Sequence, residues 1–355
     1  MNKKLPQRLI IFVTTKCNLR CKHCFFSSFL NNQSPDLTPE GTKKLMANYT
    51  GRLQNVILTG GEPFLNKDLA NIVCNIKAKT IIIPTNGYYP DFIAEETEKI
   101  LNGIAGIDRI TISISLDGPE HIHDKIRSVD NSYKNAIETY VRLKNLEKKF
   151  PKLSVGRSAT INGMNIEYLD EMAKSSWDKD EAFNFQLVRS INQSGLPSHL
   201  RDNMVLQDEL STIPDNFVIK VSARFTQIKN IMSKNLLISI KSPKGNKLRS
   251  LINYFSTLGL IKIVLKTIKE KKRIFSCRAG NDIAVIYPNL DVSFCEFMKP
   301  LGNLSDYNFN FAKLWNSKNA QDLRKIVRKC FCTHTCFANF NKYDFRKFTA
   351  AFWRI

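Results

Sequence analysis

The sequence has no uninterrupted apolar run of the roughly 18 residues that a membrane-spanning helix needs, which excludes a transmembrane helix. The first residues include a short apolar stretch, but no small-residue cleavage site follows it, so no secretory signal peptide is expected. Residues 8–14 are instead predicted to form a first buried strand. Internal repeats and low-complexity linkers are also absent from the 355 residues. These absences predict a cytoplasmic protein. Its length is sufficient for one large α/β unit and a smaller appendage.

Acidic residues are scarce, since 32 Asp and Glu oppose 53 Lys and Arg and leave a net charge of +21. The imbalance is largest in residues 216–275, where 14 Lys or Arg face one acid, Glu270, for a net charge of +13. Such a segment is typical of a surface that meets phosphates, anionic lipid or nucleic acid, and a solvated basic surface is the alternative. Apolar residues at helical spacing in residues 247–275, with lysines between them, favour contact with the anionic inner face of a membrane over nucleic acid.

Nine cysteines cluster mainly near the two ends of a chain without an export signal, which favours metal ligation over disulfides. Cys17, Cys21 and Cys24 have the spacing C-x3-C-x2-C. Three thiolates can hold three irons of a 4Fe–4S cluster and leave the fourth iron open to chelate an amine and a carboxylate. The alternative is structural zinc with His23 as fourth ligand, although adjacent His23 and Cys24 would be strained around one tetrahedral ion. Cys74 is predicted to be an inert thiol of the core.

Short apolar, β-branched segments alternate with helical patterns, which predicts parallel βαβ units with right-handed crossovers. Thr38 and Pro39 have the residue types of an N-cap and a first helical position. Strands are expected at residues 8–14, 56–59, 80–84, 109–116, 152–161 and 182–188, and helices at residues 38–48, 66–77, 90–102, 133–149 and 165–175. Together they predict an α/β fold, a partial (β/α)6 TIM-like barrel with its chemistry at the carboxyl ends of the strands.

Four polar segments each directly follow a predicted strand: the cysteine loop, "TGGEP", "PTNG" and "SLDG". The cysteine loop followed by "GGEP" resembles the radical S-adenosylmethionine (SAM) superfamily, over residues 8 to about 190. The resemblance implies that the open iron binds the methionine end of SAM. It also implies that an electron donor such as flavodoxin or ferredoxin reduces the cluster, which passes one electron to the sulfonium. A 5′-deoxyadenosyl radical then abstracts hydrogen from a substrate, while the protein supplies position and electrostatics.

The resemblance also assigns residues to the SAM site. Gly60 and Gly61 let the backbone approach SAM closely, and Glu62 and Pro63 complete the segment that contacts the methionine amino group. Arg127 resembles an arginine that pairs with the SAM carboxylate, which suits a bidentate guanidinium. The remaining members follow the next two strands: Thr85 and Asn86, which face the site, and Ser115 and Asp117, which reach the ribose or carboxylate. A capped turn is the alternative reading of the last pair.

A second group of cysteines begins at residue 277, where "YPNLDVSFCE", "LGN" and Trp315 resemble the SPASM/twitch extension of radical SAM enzymes. A full SPASM region holds two auxiliary clusters on about seven cysteines. Here there are five, which favours one auxiliary 4Fe–4S cluster. Zinc is the alternative metal, and Leu290 stands where the family has a hairpin glycine. The resemblance assigns the ligands as Cys277, Cys295 and Cys336, with Cys330 and Cys332 competing for the fourth place.

These patterns divide the chain into a radical SAM core at residues 1–190, a basic connecting segment at 191–276, an auxiliary-cluster domain at 277–338 and an aromatic, basic tail at 339–355. A small molecule, a glycan, a lipid-linked intermediate or a peptide could be the substrate. Many peptide-modifying relatives use an N-terminal extension that is not expected here, so a glycan or lipid-linked substrate is favoured. The alternative of another class is a non-catalytic metal module whose basic face binds membrane or nucleic acid.

Anaerobic reconstitution should load about eight irons per chain, because three cysteines hold one 4Fe–4S cluster and the C-terminal group holds another. Replacing Cys17, Cys21 and Cys24 together by Ala should leave about half of that iron. Iron analysis with the anaerobic visible spectrum measures both quantities, since a zinc protein is colourless. An unchanged iron content in the triple variant would contradict the assignment of residues 17–24.

Overall fold

The structure, a computed structural model, describes residues 4–178, 181–188, 215–241 and 277–327, together with single helical positions between 251 and 270. The first part contains β1 (Arg8–Thr14), α1 (Pro39–Met46), β2 (Leu53–Gly60), α2 (Leu69–Asn75), β3 (Ala78–Thr85), α3 (Pro90–Gly103), β4 (Arg109–Ser115), α4 (Glu120–Arg127), α5 (Ser132–Lys149), β5 (Leu153–Ile161), α6 (Leu169–Trp177) and β6 (Asn184–Leu187). Then come α7 (Asp215–Ala223), α8 (Phe225–Lys241), β7 (Ile283–Ile286), β8 (Asp291–Ser293), β9 (Gly302–Asn303), α9 (Phe311–Trp315) and α10 (Lys318–Val327). Within these ranges no helix combines the length and the apolar character needed to cross a bilayer.

The strands form one sheet in the order β6-β5-β4-β3-β2-β1-β7-β8-β9. Strands β1 to β6 pair in parallel in chain order, and β7 pairs in parallel with the other side of β1. Sequential parallel strands need crossover helices, and these cover one face of the sheet with a continuous apolar core. The carboxyl ends of β1 to β6 therefore lie along one edge. This arrangement confirms the predicted α/β partial barrel.

Local sequence signals predict the start of α1, whereas α4 lacks such signals. Thr38 accepts a hydrogen bond from the Gly41 amide at 3.0 Å and Pro39 opens the helix, as expected. Helix α4 is only eight residues long and mostly polar, so the sequence has no apolar periodicity that would predict it. Its buried residues include Ile122 and Ile126, and the helix contacts α5.

The prediction that Cys74 belongs to the core is wrong, because its side chain is exposed. Helix α2 is also shorter than the predicted residues 66–77, because the backbone is extended at Asn66 and again at Ile76. Cys74 comes one position after Val73, the last buried residue of α2, and it lies beside the end of α3. A Cβ on Gly103 would be 2.7 Å from its sulfur. The residues that α2 buries are Leu69, Ile72 and Val73.

The C-terminal unit extends the same sheet through β7 and packs around a buried tryptophan. Trp315 has its ring 5.0 Å from that of Phe294, and the Arg324 guanidinium lies 4.9 Å from both rings. Leu290 adopts a left-handed φ of +69° in the hairpin between β7 and β8, at the position where glycine was expected. The turn nevertheless closes, because the Leu290 amide donates to the Tyr287 carbonyl at 2.9 Å.

A side-chain amide after α1 joins the two units. Asn48 donates to the Phe309 carbonyl and accepts from the Phe311 amide, both at 2.9 Å. Asn48→Ala should lower the free energy of unfolding by about 1–3 kcal/mol, because a partly buried carbonyl and amide lose their partner. Asn102→Ala, at an exposed position of α3, is the matched control and should change stability little. Chemical denaturation measures both variants, and equal stabilities would contradict the link.

Candidate active site

The cysteine loop leaves the carboxyl end of β1 and is held by two polar side chains. Asn31 accepts from the Cys17 amide at 2.8 Å and donates to the Cys17 carbonyl at 3.1 Å. Arg20 donates to the same carbonyl at 3.1 Å and to the Leu19 carbonyl at 2.9 Å. These bonds fix the backbone of the first cysteine. The sequence analysis missed Asn31 and Arg20, because bonds to backbone groups leave no motif.

The three thiols of the loop are free and partly buried. The Leu19 amide donates to Cys17 Sγ at 3.5 Å, and the Phe26 amide donates to Cys24. Burial raises the pKa of Cys17 to about 12 and that of Cys24 to about 11. A thiolate at these positions therefore needs positive charge beside it, which iron ligation supplies. Amide bonds to the sulfurs also help to set the potential of an iron–sulfur cluster.

His23, the fourth ligand in the zinc alternative, is engaged away from the thiols. Its Nδ1 lies 3.5 Å from Asn162 Nδ2, and burial lowers the pKa of His23 to about 4. In the part of the chain that the structure describes, no three His, Cys, Asp or Glu side chains gather around the position of one metal ion. The loop therefore presents three thiols and a neutral histidine with a contact of its own.

Gly60 and Gly61 bring the end of β2 against the cysteine loop. A Cβ on Gly60 would lie 2.3 Å from the Thr14 carbonyl oxygen, and a Cβ on Gly61 would lie 2.1 Å from the Lys16 carbonyl oxygen. At the same place Gly61 N donates to Thr14 O at 3.0 Å and Glu62 N donates to Lys16 O at 2.8 Å. The resemblance implies that these glycines let SAM approach the backbone. The structure shows that they also let the turn after β2 pack against the backbone at residues 14–16.

A buried carboxylate joins the ends of β2 and β3. Glu62 Oε1 accepts from Thr85 Oγ1 at 2.8 Å and from Phe64 N at 3.3 Å, while Oε2 accepts from Asn86 N at 2.7 Å. Burial raises the pKa of Glu62 to about 7, against the effect of these bonds. Asn86 donates in turn to Asn18 Oδ1 of the cysteine loop at 2.9 Å. Glu62, Thr85 and Asn86 thus lie together beside the loop, and their contact with SAM stays a prediction.

An ion pair between Asp117 and Arg127 joins the end of β4 to the cysteine loop. Arg127 Nη2 lies 2.5 Å from Asp117 Oδ2, and Arg127 Nη1 donates to Cys21 Sγ at 3.6 Å. Asp117 Oδ1 accepts from the Thr160 amide at 2.9 Å, and the carboxyl is fully buried. Burial alone would raise the pKa of Asp117, but the guanidinium beside it holds that pKa below its usual range. The pair is therefore ionised and places a positive charge at a cysteine sulfur.

Ser115 ends β4 close to the loop that follows β5, whose asparagines were not singled out from the sequence. Asn165 donates to the Asp117 carbonyl at 2.8 Å and to the Thr160 carbonyl at 3.0 Å. The Asn162 amide donates to Asn165 Oδ1 at 2.8 Å. These bonds shape the backbone around Asp117. Ser115 is partly buried, and its contact with the ribose stays a prediction.

Several buried polar atoms beside the cysteine loop have no hydrogen-bond partner among the residues that the structure describes. They include Arg127 Nε, Asn18 Nδ2 and Thr15 Oγ1. Buried polar groups are almost always paired, so unpaired donors at this edge indicate a bound group that takes their bonds. A carboxylate and an amine, the groups that the methionine end of SAM presents, suit these atoms. Together with three thiols, the residues present fit a 4Fe–4S cluster carrying SAM.

The second cysteine group is described only in part. The side chains of Cys277 and Cys295 are partly buried, and Cys277 Sγ accepts from the Ala279 amide at 3.4 Å. Ser293 Oγ donates to the Cys295 carbonyl at 2.8 Å, which fixes the end of β8. Both cysteines remain predicted ligands of a metal centre at this end of the sheet. The other predicted ligands, Cys330, Cys332 and Cys336, lie outside the described residues, so the ligand set stays a prediction.

The strand ends, the thiols and the unpaired donors define a class of protein: an iron–sulfur enzyme built on a partial barrel. Comparison with known families then gives the particular one. Residues 11–175 match the radical SAM superfamily, and residues 277–337 match SPASM, an iron–sulfur cluster-binding domain. The chain belongs to the radical SAM superfamily and carries a C-terminal SPASM domain. Its cofactors are a 4Fe–4S cluster, SAM and an auxiliary iron–sulfur cluster.

Curated relatives resemble somewhat less than half of the chain. A probable GTP 3′,8-cyclase of Methanocaldococcus jannaschii is 32% identical over 157 residues, which cover 41% of this chain and 50% of that protein. The Fe-coproporphyrin III synthase of Methanosarcina barkeri is 30% identical over 179 residues, 46% of this chain and 42% of that protein. The chain thus spans about half the length of the curated relatives it matches.

Solved structures resemble the chain over most of its length. The native anSMEcpe structure with bound AdoMet and Cp18Cys peptide has a TM-score of 0.58 at 17% identity, covering 91% of this chain and 84% of that one. The same protein with AdoMet alone has a TM-score of 0.53 at 17% identity. At this identity the likeness shows the fold, and it agrees with the partial barrel described above.

Gly61→Ala should cost the protein the iron of its first cluster, about half of the total. The added Cβ would lie 2.1 Å from the Lys16 carbonyl, so the peptide before Cys17 must move. Gly51→Ala is the matched control, because no atom lies within 4 Å of its Cβ position. Iron and sulfide analysis after anaerobic reconstitution compares the two variants. Full iron in Gly61→Ala would mean that the close approach does not hold the loop.

Proposed function

We propose that this protein cleaves SAM reductively at the carboxyl ends of β1 to β4 and abstracts hydrogen from a glycan or a lipid-linked glycan. When bound, the cluster supplies the electron and SAM supplies the 5′-deoxyadenosyl radical. One observation carries the proposal. The cysteine loop, the Gly60-Gly61 turn and Arg127 converge at one edge of the sheet, beside buried donors that have no partner in the described part of the chain.

The residues of this edge have separable tasks in the proposal. Asn31 holds the backbone of Cys17, and the two glycines bring the "GGEP" turn beside it. Asp117 orients Arg127 through the ion pair, which leaves Arg127 Nε for the SAM carboxylate. Because Asp117 offsets the charge of Arg127, the ion pair adds little net positive charge beside Cys21 Sγ, where a cluster would be held.

The open face of the sheet, which is the face opposite the helices, favours an uncharged, hydroxyl-rich substrate. Alternation along β4 and β5 turns isoleucines, leucine and valine towards the helices, so the intervening residues face the other side. From residue 111 onward the side chains of this face, within the described residues of β4 to β6, are neutral. Ser113 donates to Ser158 at 3.0 Å, and Gln186 donates to Thr160 at 3.3 Å. The remaining members are Thr111, Ser115, Ser154, Gly156 and Asn184.

Hydroxyl and amide groups suit sugars, because each can donate and accept hydrogen bonds. Phosphate-bearing or carboxylate-bearing substrates are recognised mainly by Arg and Lys, which form stronger charge-assisted bonds. The names of two relatives refer to GTP and to an iron coproporphyrin, both of which are anionic. The neutral open face therefore favours a glycan over substrates of those kinds.

The proposal predicts which compounds accelerate SAM cleavage. With dithionite as reductant, 5′-deoxyadenosine should form slowly alone and several-fold faster with a lipid-linked disaccharide or the free disaccharide. A cysteine-containing peptide should leave the rate unchanged. Gln186→Leu should raise KM for the saccharide because a hydrogen-bonding amide is lost from the open face. Gln54→Leu, at the exposed start of β2, is the matched control.

Liquid chromatography of 5′-deoxyadenosine measures these rates. Acceleration by the peptide alone would replace the glycan with a peptide substrate. Absence of 5′-deoxyadenosine under all conditions, in protein with full iron, would overturn reductive SAM cleavage itself.

A further inference from the structure

Exposed apolar side chains are concentrated around α8, away from the active-site edge. Leu237 is 59% exposed and Phe255 is 46% exposed, values unusual for side chains of this size in a folded protein. Leu251 is 39% exposed. The other exposed large apolar side chains of the described residues are scattered: Ile219 on α7, which is 69% exposed, and Tyr89, Phe92 and Val141.

Two contacts show how α8 lies against the helical positions that follow it. Ser233 Oγ lies 2.9 Å from Tyr254 Oη, and Lys262 Nζ lies 5.9 Å from the Phe225 ring. The earlier residue of α8 contacts the later of these positions, and the later residue contacts the earlier one. Helix α8 and the helical positions after residue 250 therefore run antiparallel. These two contacts place Leu237 and Leu251 towards the same end of the pair. The exposed apolar side chains therefore lie near one end of a helical pair.

The opposite face of α8 is fixed to the core. Ile228 and Ile231 are buried among residues of α6 and β6. Asn235 accepts from Trp177 Nε1 at 3.0 Å and from the Phe183 amide at 2.9 Å. These contacts determine the rotation of α8, so Leu237 cannot turn inward without breaking them. The exposure of Leu237 follows from the packing of the rest of the helix.

Basic side chains border the apolar positions. Lys229, Ser233, Leu237 and Lys241 follow one another at intervals of four residues and lie on one side of α8. Lys229 and Lys241 are exposed. The nine residues between Lys241 and Leu251 add three Lys or Arg and no acid. Exposed apolar side chains on a stretch that is rich in lysine and poor in acid are typical of a surface that inserts into anionic lipid.

We propose that this end of the helical pair, Leu237, Leu251 and Phe255 with the lysines around them, is a docking surface for an anionic lipid bilayer. Charge complementarity selects the occupant, since phospholipid headgroups match the lysines and acyl chains accept the apolar side chains. Nucleic acid would match the lysines only. The surface is independent of the substrate class, because it lies on α8 and not at the carboxyl edge of the sheet.

Flotation with vesicles tests the surface on the full-length, iron-loaded protein. Vesicles of phosphatidylcholine with phosphatidylglycerol should bind it, vesicles of phosphatidylcholine alone should not, and salt should weaken binding. Leu237→Asp with Phe255→Asp should reduce the bound fraction at least about tenfold. Lys229→Glu with Lys241→Glu should reduce it comparably. Val141→Asp, on α5, changes an equally exposed residue elsewhere and should leave binding intact.

Any other outcome contradicts the proposed docking surface. Binding that survives the Leu237 and Phe255 changes would show adsorption by charge alone at some other face. A protein that stays with the soluble fraction at low salt, or that prefers a DNA duplex to vesicles, would exclude a lipid partner. Iron content and lipid-free SAM cleavage, measured for every variant, show whether the fold and the proposed reaction are retained. A failure of docking is thereby distinguished from a failure of the reaction.

Discussion

The buried ion pair between Asp117 and Arg127 is the interaction on which the active-site edge depends. It joins β4, α4 and the cysteine loop, because Arg127 reaches both the Asp117 carboxylate and Cys21 Sγ. The Lys22 amide also donates to the Ile126 carbonyl at 2.8 Å, so backbone and side chain of α4 hold the same loop. Removing one partner of a buried pair typically costs about 3–5 kcal/mol, since the other charge stays buried and unpaired. The fold therefore keeps a charged pair where it also holds Cys21, a predicted metal ligand, in position.

A second constraint acts from the other side of the loop. Gly60 and Gly61 leave no room for a side chain between β2 and the backbone at residues 14–16, while Glu62 fastens the same turn to the end of β3. Three consecutive strand ends are thus held at contact distance before any substrate is considered. Such rigidity suits a radical enzyme, because the reacting groups must be positioned within narrow limits.

Much of this edge could be predicted from the sequence, because parallel strands bring their carboxyl ends together and the motifs follow strands. That argument placed Cys17, Gly61 and Asp117 in one region without any contact information. It could not find Asn31, whose importance lies in two bonds to one backbone unit. It misplaced Cys74, since a short helix exposes the position after its last buried residue. Periodicity finds apolar faces, and it has little to say about polar helices such as α4.

The central claim is that the loop at residues 17–24 holds a cluster that binds SAM and that the C-terminal unit holds one that does not. Electron paramagnetic resonance of the reduced protein, recorded with and without SAM, tests it most directly. Two overlapping cluster signals are expected, of which one changes when SAM is added. The changing signal should be missing when Cys17, Cys21 and Cys24 are replaced by Ala, and the other should remain. A reduced spectrum that is the same with and without SAM would contradict the account.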